Sequence, residues 1–165
     1  MRFFISSILL SVSLGAAAQS TITSTESAFF SGSVNLAPNE IAIIPEPVTI
    51  TKQYGHFVLP ESILIQSTKP AELKQTIAFL QERLGVPTGY FVSSTSTASN
   101  NANIKLVLTD KNDAVIGAEG YHLQVTPQQI VITANKPAGI FYGVQTLIQL
   151  LPKEIESKEE VAGIK

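Results

Sequence analysis

The 165-residue chain carries 11 Lys and Arg against 13 Asp and Glu, for a formal net charge of −2, and it has no cysteine. That length can bury the core of one ordinary domain, and the missing cysteines exclude both a disulfide framework and a lipid anchor on an N-terminal cysteine. The few cations do not cluster, so the electrostatic footprint of a nucleic-acid binder is missing and nucleic acid is not an expected partner.

The N-terminus reads MRFFISSILLSVSLGAAAQS. One basic residue, Arg2, precedes an apolar run through Leu14 and the small residues Ala16, Ala17 and Ala18, the pattern of a secretory signal peptide. The run is shorter than the roughly 20 residues of a membrane span. Residues 1–18 are therefore expected to be a leader cleaved near Ala18, and the product to be periplasmic or secreted with no membrane anchor. Residues 19–40, rich in Ser and Thr, read as a tether.

The folded domain is expected over residues 41–152. Its lead-in, IAIIPEPVTI, is β-branched but interrupted by Pro45 and Pro47. Proline cannot donate to a ladder, so this is an edge strand or an extended segment. Ser62 to Gln66 reads as a short buried strand. A helix follows Pro70, with Leu73, Ile77, Leu80 and Leu84 as its apolar stripe and with Gly85 and Pro87 ending it. Ser93 to Asn103 reads as a polar surface loop, and Ile104 opens the next strand. Tyr121, Leu123 and Val125 alternate with His122 and Gln124, the period of a half-buried strand. Ile130 to Ala134 lies close enough behind it to complete an antiparallel hairpin. Together these elements predict an α/β fold, a small mixed sheet with two helices packed on it.

The last element, AGIFYGVQTLIQLLP, has helical periodicity but no charged residue. On a helical wheel Ile140, Phe141, Val144, Leu147, Ile148 and Leu151 form an apolar arc expected to face the sheet. Tyr142, Gln145, Thr146 and Gln149 form a neutral polar arc on the other side. Gly139 and Gly143 each cost about 1 kcal/mol relative to Ala inside a helix. They are expected to be close-packing positions, where another backbone approaches and offsets that cost.

The stretch EGYHLQVTPQQIVITANKPAGIFYGVQTLIQLLP, with IIPEPVTI before it, resembles the N-terminal domain of exported β-N-acetylhexosaminidases, glycoside hydrolase family 20. The motifs that carry the likeness are Glu119-Gly120-Tyr121, Gly139, Phe141-Tyr142-Gly143, Gln145-Thr146-Leu147 and Gln149-Leu150. The resemblance implies a non-catalytic domain of zincin-like topology, with the chemistry in a following (β/α)₈ barrel. There a Glu would protonate the leaving oxygen, and a neighbouring Asp would orient the substrate's 2-acetamido group as nucleophile. This chain contains no Asp-Glu dipeptide, so the barrel and its acid pair are expected to be absent from it and the chain alone to be inactive. The resemblance also implies that residues 153–165 form a charged linker toward the barrel. A solvent face would carry Lys and Glu, so the neutral arc of Tyr142, Gln145, Thr146 and Gln149 is expected to be an inter-domain interface with that barrel, the alternative being a mildly polar surface helix. Glycan would be met only through the barrel, as terminal N-acetyl-β-hexosamine of glycans or chitin fragments. The alternatives are a free-standing exported binding or scaffold module, and the same domain type from another glycoside hydrolase.

The remaining chemistry-bearing residues favour no activity of the domain's own. His56 and His122 are far apart and lack an H-E-x-x-H context, so no metal is expected. No serine sits in a nucleophile elbow. Gly139 and Gly143 precede no Lys-Ser or Lys-Thr, so no nucleotide cradle and no cofactor are expected. Glu119 reads as a structural anchor of the hairpin. Trp is absent, which leaves Tyr54, Tyr90 and Tyr142 as the aromatic platforms on which a sugar could stack.

Overall fold

The computed structural model describes residues 4–12, by backbone alone, and residues 41–161. The tether of residues 19–40 lies outside the described residues. Among the described residues, one seven-stranded sheet has the order β2-β1-β6-β7-β5-β3-β4, made of β1 (Phe4–Val12), β2 (Thr49–Val58), β3 (Ser62–Ser67), β4 (Phe91–Thr95), β5 (Ile104–Leu108), β6 (Tyr121–Val125) and β7 (Ile130–Ala134). Two helices, α1 (Lys74–Thr88) and α2 (Pro137–Leu150), pack on it. The α/β reading stands as a mixed sheet: β3, β4, β5 and β7 run parallel, while β6 is antiparallel to β7.

The alternation read from Tyr121 to Ala134 produces the hairpin register. Tyr121 pairs with Ala134, Leu123 with Ile132 and Val125 with Ile130, and all six are buried. Residues 126–129 make the turn, where the Thr126 amide donates to the Gln129 carbonyl at 3.0 Å. On β5 and β3 the same period buries Ile104, Leu106, Ile63 and Ile65 completely. The alternate residues of β3, β5 and β7, such as Gln66, Lys105, Val107 and Thr133, lie half-buried on the opposite face.

Three segments depart from the sequence reading, and a fourth is seen here in the uncleaved chain. First, α1 does not stop at Gly85 but runs through Pro87 to Thr88. A proline in the last turn gives up one internal bond, and the helix closes one residue later: Gly89, at φ 67°, donates its amide to the Gly85 carbonyl at 2.9 Å. Second, Ser93 to Thr95 belong to β4, a parallel edge strand on β3, rather than to a loop. An edge strand with one partner tolerates this polar composition, which carries little periodic signal. Third, residues 153–161 are no free linker. Ile155 is buried beside the core, and the Val161 amide reaches the Pro87 carbonyl at 3.0 Å. Fourth, the run read as a leader's apolar core is extended as β1, antiparallel to both β2 and β6. Apolar content alone suits a leader and a strand equally, and in the uncleaved chain the β6 edge is there to pair with it.

Candidate functional site: the outer face of the second helix

Pro137 occupies the first turn of α2, where its missing N–H costs nothing, and extended Lys136 precedes it. Glycines then set which side of the helix lies down on the sheet. A Cβ on Gly139 would stand 2.3 Å from the Gly120 carbonyl oxygen and 2.8 Å from the Ala134 Cβ. One on Gly143 would stand 2.5 Å from the Ile132 Cγ2 and 3.1 Å from the Tyr121 ring. Gly139 therefore lies against the chain's own backbone at Gly120, and Gly143 against its own side chains, Ile132 and Tyr121.

This contact turns α2 relative to the wheel reading, and two assignments change. Thr146 is not on an open face: it is 3% exposed, and its hydroxyl shares a hydrogen bond with the Tyr121 phenol. Phe141, assigned to the core arc, is 38% exposed and packs obliquely on Phe79 of α1 at 5.7 Å between ring centroids. With the glycine flank on β6 and β7, the buried arc runs from Thr146 round to Ile148, and Phe141 falls just beyond it. Of the other arc residues, Tyr142 is 45% exposed and Gln145 is half-buried. Gln149 is held by the lead-in segment: its Nε2 donates to the Ile44 carbonyl and its Oε1 accepts from the Ile44 amide, both at 2.9 Å.

That two-way clasp lays Ile44 and Pro45 beside α2 and makes a groove of about 250 Å³, lined also by Glu119, Tyr121, Tyr142 and Gln145. Glu119 is exposed at this groove. The anchor is instead Asn135, which sequence reading passed over. Its Nδ2 donates to the carbonyls of Asp113 (2.7 Å) and Gly117 (2.6 Å), and its Oδ1 accepts from the Asp113 amide and the Thr109 hydroxyl, each at 2.9 Å. A lone Asn at a strand end carries no periodic signal, and only its four partners reveal the role.

The histidines are not brought together: His56 lies on β2 and His122 on β6, with β1 between those strands in the sheet. His122 Nε2 faces an oxygen of Asp113 at 3.7 Å. Tyr54 stands in solvent on β2, whereas Tyr90 packs against the core.

Two predictions arise here. Replacing Gln149→Glu removes the donor to the Ile44 carbonyl and sets a carboxylate against it. The lead-in segment should loosen, with faster amide exchange at Ile44 and a loss of about 1–2 kcal/mol in chemical denaturation. Burial pushes the Tyr121 phenol above its usual pKa, with the bond to Thr146 acting in the opposite sense. An acid with a raised folded pKa favours folding while neutral. Its contribution is full below the unfolded value of about 10 and is lost as pH rises through the folded value. Tyr121→Phe should therefore flatten the alkaline limb of a stability-against-pH curve, at a cost of about 1 kcal/mol near neutrality.

Residues 40–165 match the model of glycosyl hydrolase family 20, domain 2. The chain belongs to this family. A beta-hexosaminidase of Porphyromonas gingivalis is 30% identical over 121 residues, covering 73% of this chain and 15% of the relative. Among solved structures, the Streptomyces plicatus N-acetyl-beta-hexosaminidase aligns at 32% identity and a TM-score of 0.57, over 65% of this chain and 20% of that one. A beta-N-acetylhexosaminidase from Bacteroides fragilis aligns at 28% identity and a TM-score of 0.53, over 67% and 21%. The chain thus spans about a fifth or less of the length of these family 20 relatives.

Proposed function

We propose that this family 20 domain 2 serves a β-N-acetylhexosaminidase, supporting and partly covering a catalytic barrel that hydrolyses terminal N-acetyl-β-hexosamine from glycans or chitin fragments. The observation that carries this reading is the match over residues 40–165 to a domain whose relatives named above are hexosaminidases four or more times its length. The row of exposed Phe141 and Tyr142 beside half-buried Gln145 supports it, because a neutral, aromatic helix face is suited to a protein neighbour rather than to water. Among the described residues Glu119 is the only carboxylate lining the groove, so they place no acid-base pair there.

The expected result is that the 165-residue chain does not hydrolyse an aryl N-acetyl-β-glucosaminide above a protein-free blank, while the same domain followed by its barrel does. Turnover by the short chain that tracks its concentration through repurification would overturn the reading, as would reading-frame analysis that finds no barrel joined to this domain. Export with removal of residues 1–18 is part of the proposal. Cleavage there would also remove β1, so N-terminal sequencing of the accumulated protein decides whether that strand is present in the working form.

A further inference from the structure

The groove beside α2 has a chemistry that selects its occupant. Its walls are largely apolar, built from Ile44, which is 81% exposed, Pro45 and the half-exposed Tyr142 ring. Two of its polar groups, the Glu119 carboxylate and the Gln145 amide oxygen, favour a donor. The Glu119 carboxylate has no cation paired with it among the described residues, and the Gln145 amide has no hydrogen-bond partner among them. At about 250 Å³ the groove is smaller than the roughly 300–1,000 Å³ that houses a drug-sized ligand, a size that suits a single side chain.

A long apolar stem ending in a planar, positively charged donor satisfies all of these surfaces together. A guanidinium forks onto a carboxylate, stacks on an aromatic face and sheds water more readily than an ammonium does. Residues 13–40 contain no Lys or Arg, so the segment leading into Ile41 cannot supply that group. We propose that the groove formed by Ile44, Pro45, Glu119, Tyr142 and Gln145 receives one arginine side chain projecting from the catalytic barrel. This rests on the accessory-domain reading and adds to it the chemical identity of the contact.

The test titrates the isotopically labelled 165-residue chain with N-acetyl-arginine methylamide, its lysine counterpart and N-acetylglucosamine, following amide resonances. The arginine derivative should shift Ile44, Glu119, Tyr142 and Gln145 with a millimolar dissociation constant, and the lysine derivative should bind several-fold more weakly. Glu119 is exposed, so Glu119→Gln should leave the unfolding midpoint unchanged yet weaken arginine binding by up to about fivefold, the range of a partly solvated ion pair. Three results would overturn the proposal: no shift at these residues, shifts that Glu119→Gln leaves intact, or tighter binding of N-acetylglucosamine, which would make the groove a sugar subsite. Each concerns the groove alone, whereas the accessory-domain reading stands or falls on barrel-dependent hydrolysis.

Discussion

Gly139→Ala should destabilise the domain by about 3 kcal/mol, although alanine is the better helix former. Propensity alone predicts a gain of about 1 kcal/mol. Against it stands a methyl group placed 2.3 Å from the Gly120 carbonyl oxygen and 2.8 Å from the Ala134 Cβ. Neither neighbour is the free end of a flexible side chain, so relief requires α2 to lift from the sheet or the Gly120 backbone to move. Overpacking of a close-packed core typically costs 1–3 kcal/mol and occasionally more, and a backbone obstacle belongs at the upper end. Gly143→Ala is the informative comparison. Its nearest obstacle is the Ile132 Cγ2 at 2.5 Å, a methyl that can shift with its side chain, so the loss should be smaller. Urea denaturation of both variants gives the ordering, read from the midpoints at a constant slope. A Gly139→Ala variant as stable as the parent would mean that α2 does not sit this close to β6 and β7.

The parts of this fold that were legible in the sequence are those where one local pattern has one structural meaning. The alternation over Tyr121–Val125 and Ile130–Ala134 keeps one face buried in the observed register, where a one-residue slip would turn it outward, and the Leu73, Ile77, Leu80, Leu84 stripe needs a helix to become contiguous. The missed parts depend on non-local partners. Phe91–Thr95 is a strand because β3 offers a free edge. The rotation of α2 is the subtler case. A helical wheel ranks residues by polarity, but glycine on a wheel is blank, and here the two blanks lie against the sheet. Thr146 follows them inward because the Tyr121 phenol satisfies its hydroxyl. Phe141 stays partly exposed because the helix face it shares is completed by Phe79 of α1. Of the residues proposed from sequence to form an interface, the structure places Tyr142 and Gln145 at the open groove, commits Gln149 to Ile44 and buries Thr146. Asn135, which holds the 109–117 segment leading to Glu119, gave no signal at all.

Asn135→Ala should cost about 3 kcal/mol and should blur the groove more than it damages the core. The side chain is 9% exposed and holds the 109–117 segment through two donated and two accepted bonds. Truncation removes them all and leaves the Asp113 and Gly117 carbonyls without this donor; each partly buried group left unsatisfied costs about 1–3 kcal/mol, while water entering the vacated space returns part of it. The consequence propagates by chain connection. Ile116, 2% exposed, is seated by the same segment, and the Gly120 amide donates to the Ile116 carbonyl at 2.9 Å. Gly120 in turn presents the carbonyl against which Gly139 packs, and Glu119 precedes it at the groove. Loosening residues 109–120 should therefore raise amide exchange across this segment and at the N-terminal turn of α2, while β5 and β7 stay protected. It should also weaken arginine-derivative binding without any change to the groove's own side chains. Asn135→Asp separates the two halves of the role: its carboxylate can still accept from the Asp113 amide and the Thr109 hydroxyl but cannot donate to the two carbonyls. An intermediate loss for Asn135→Asp, with the exchange gain concentrated near Gly117, is expected if the donated bonds hold the far end of the segment. Parent-like exchange in both variants would show that Ile116 burial and the segment's backbone bonds hold it without Asn135.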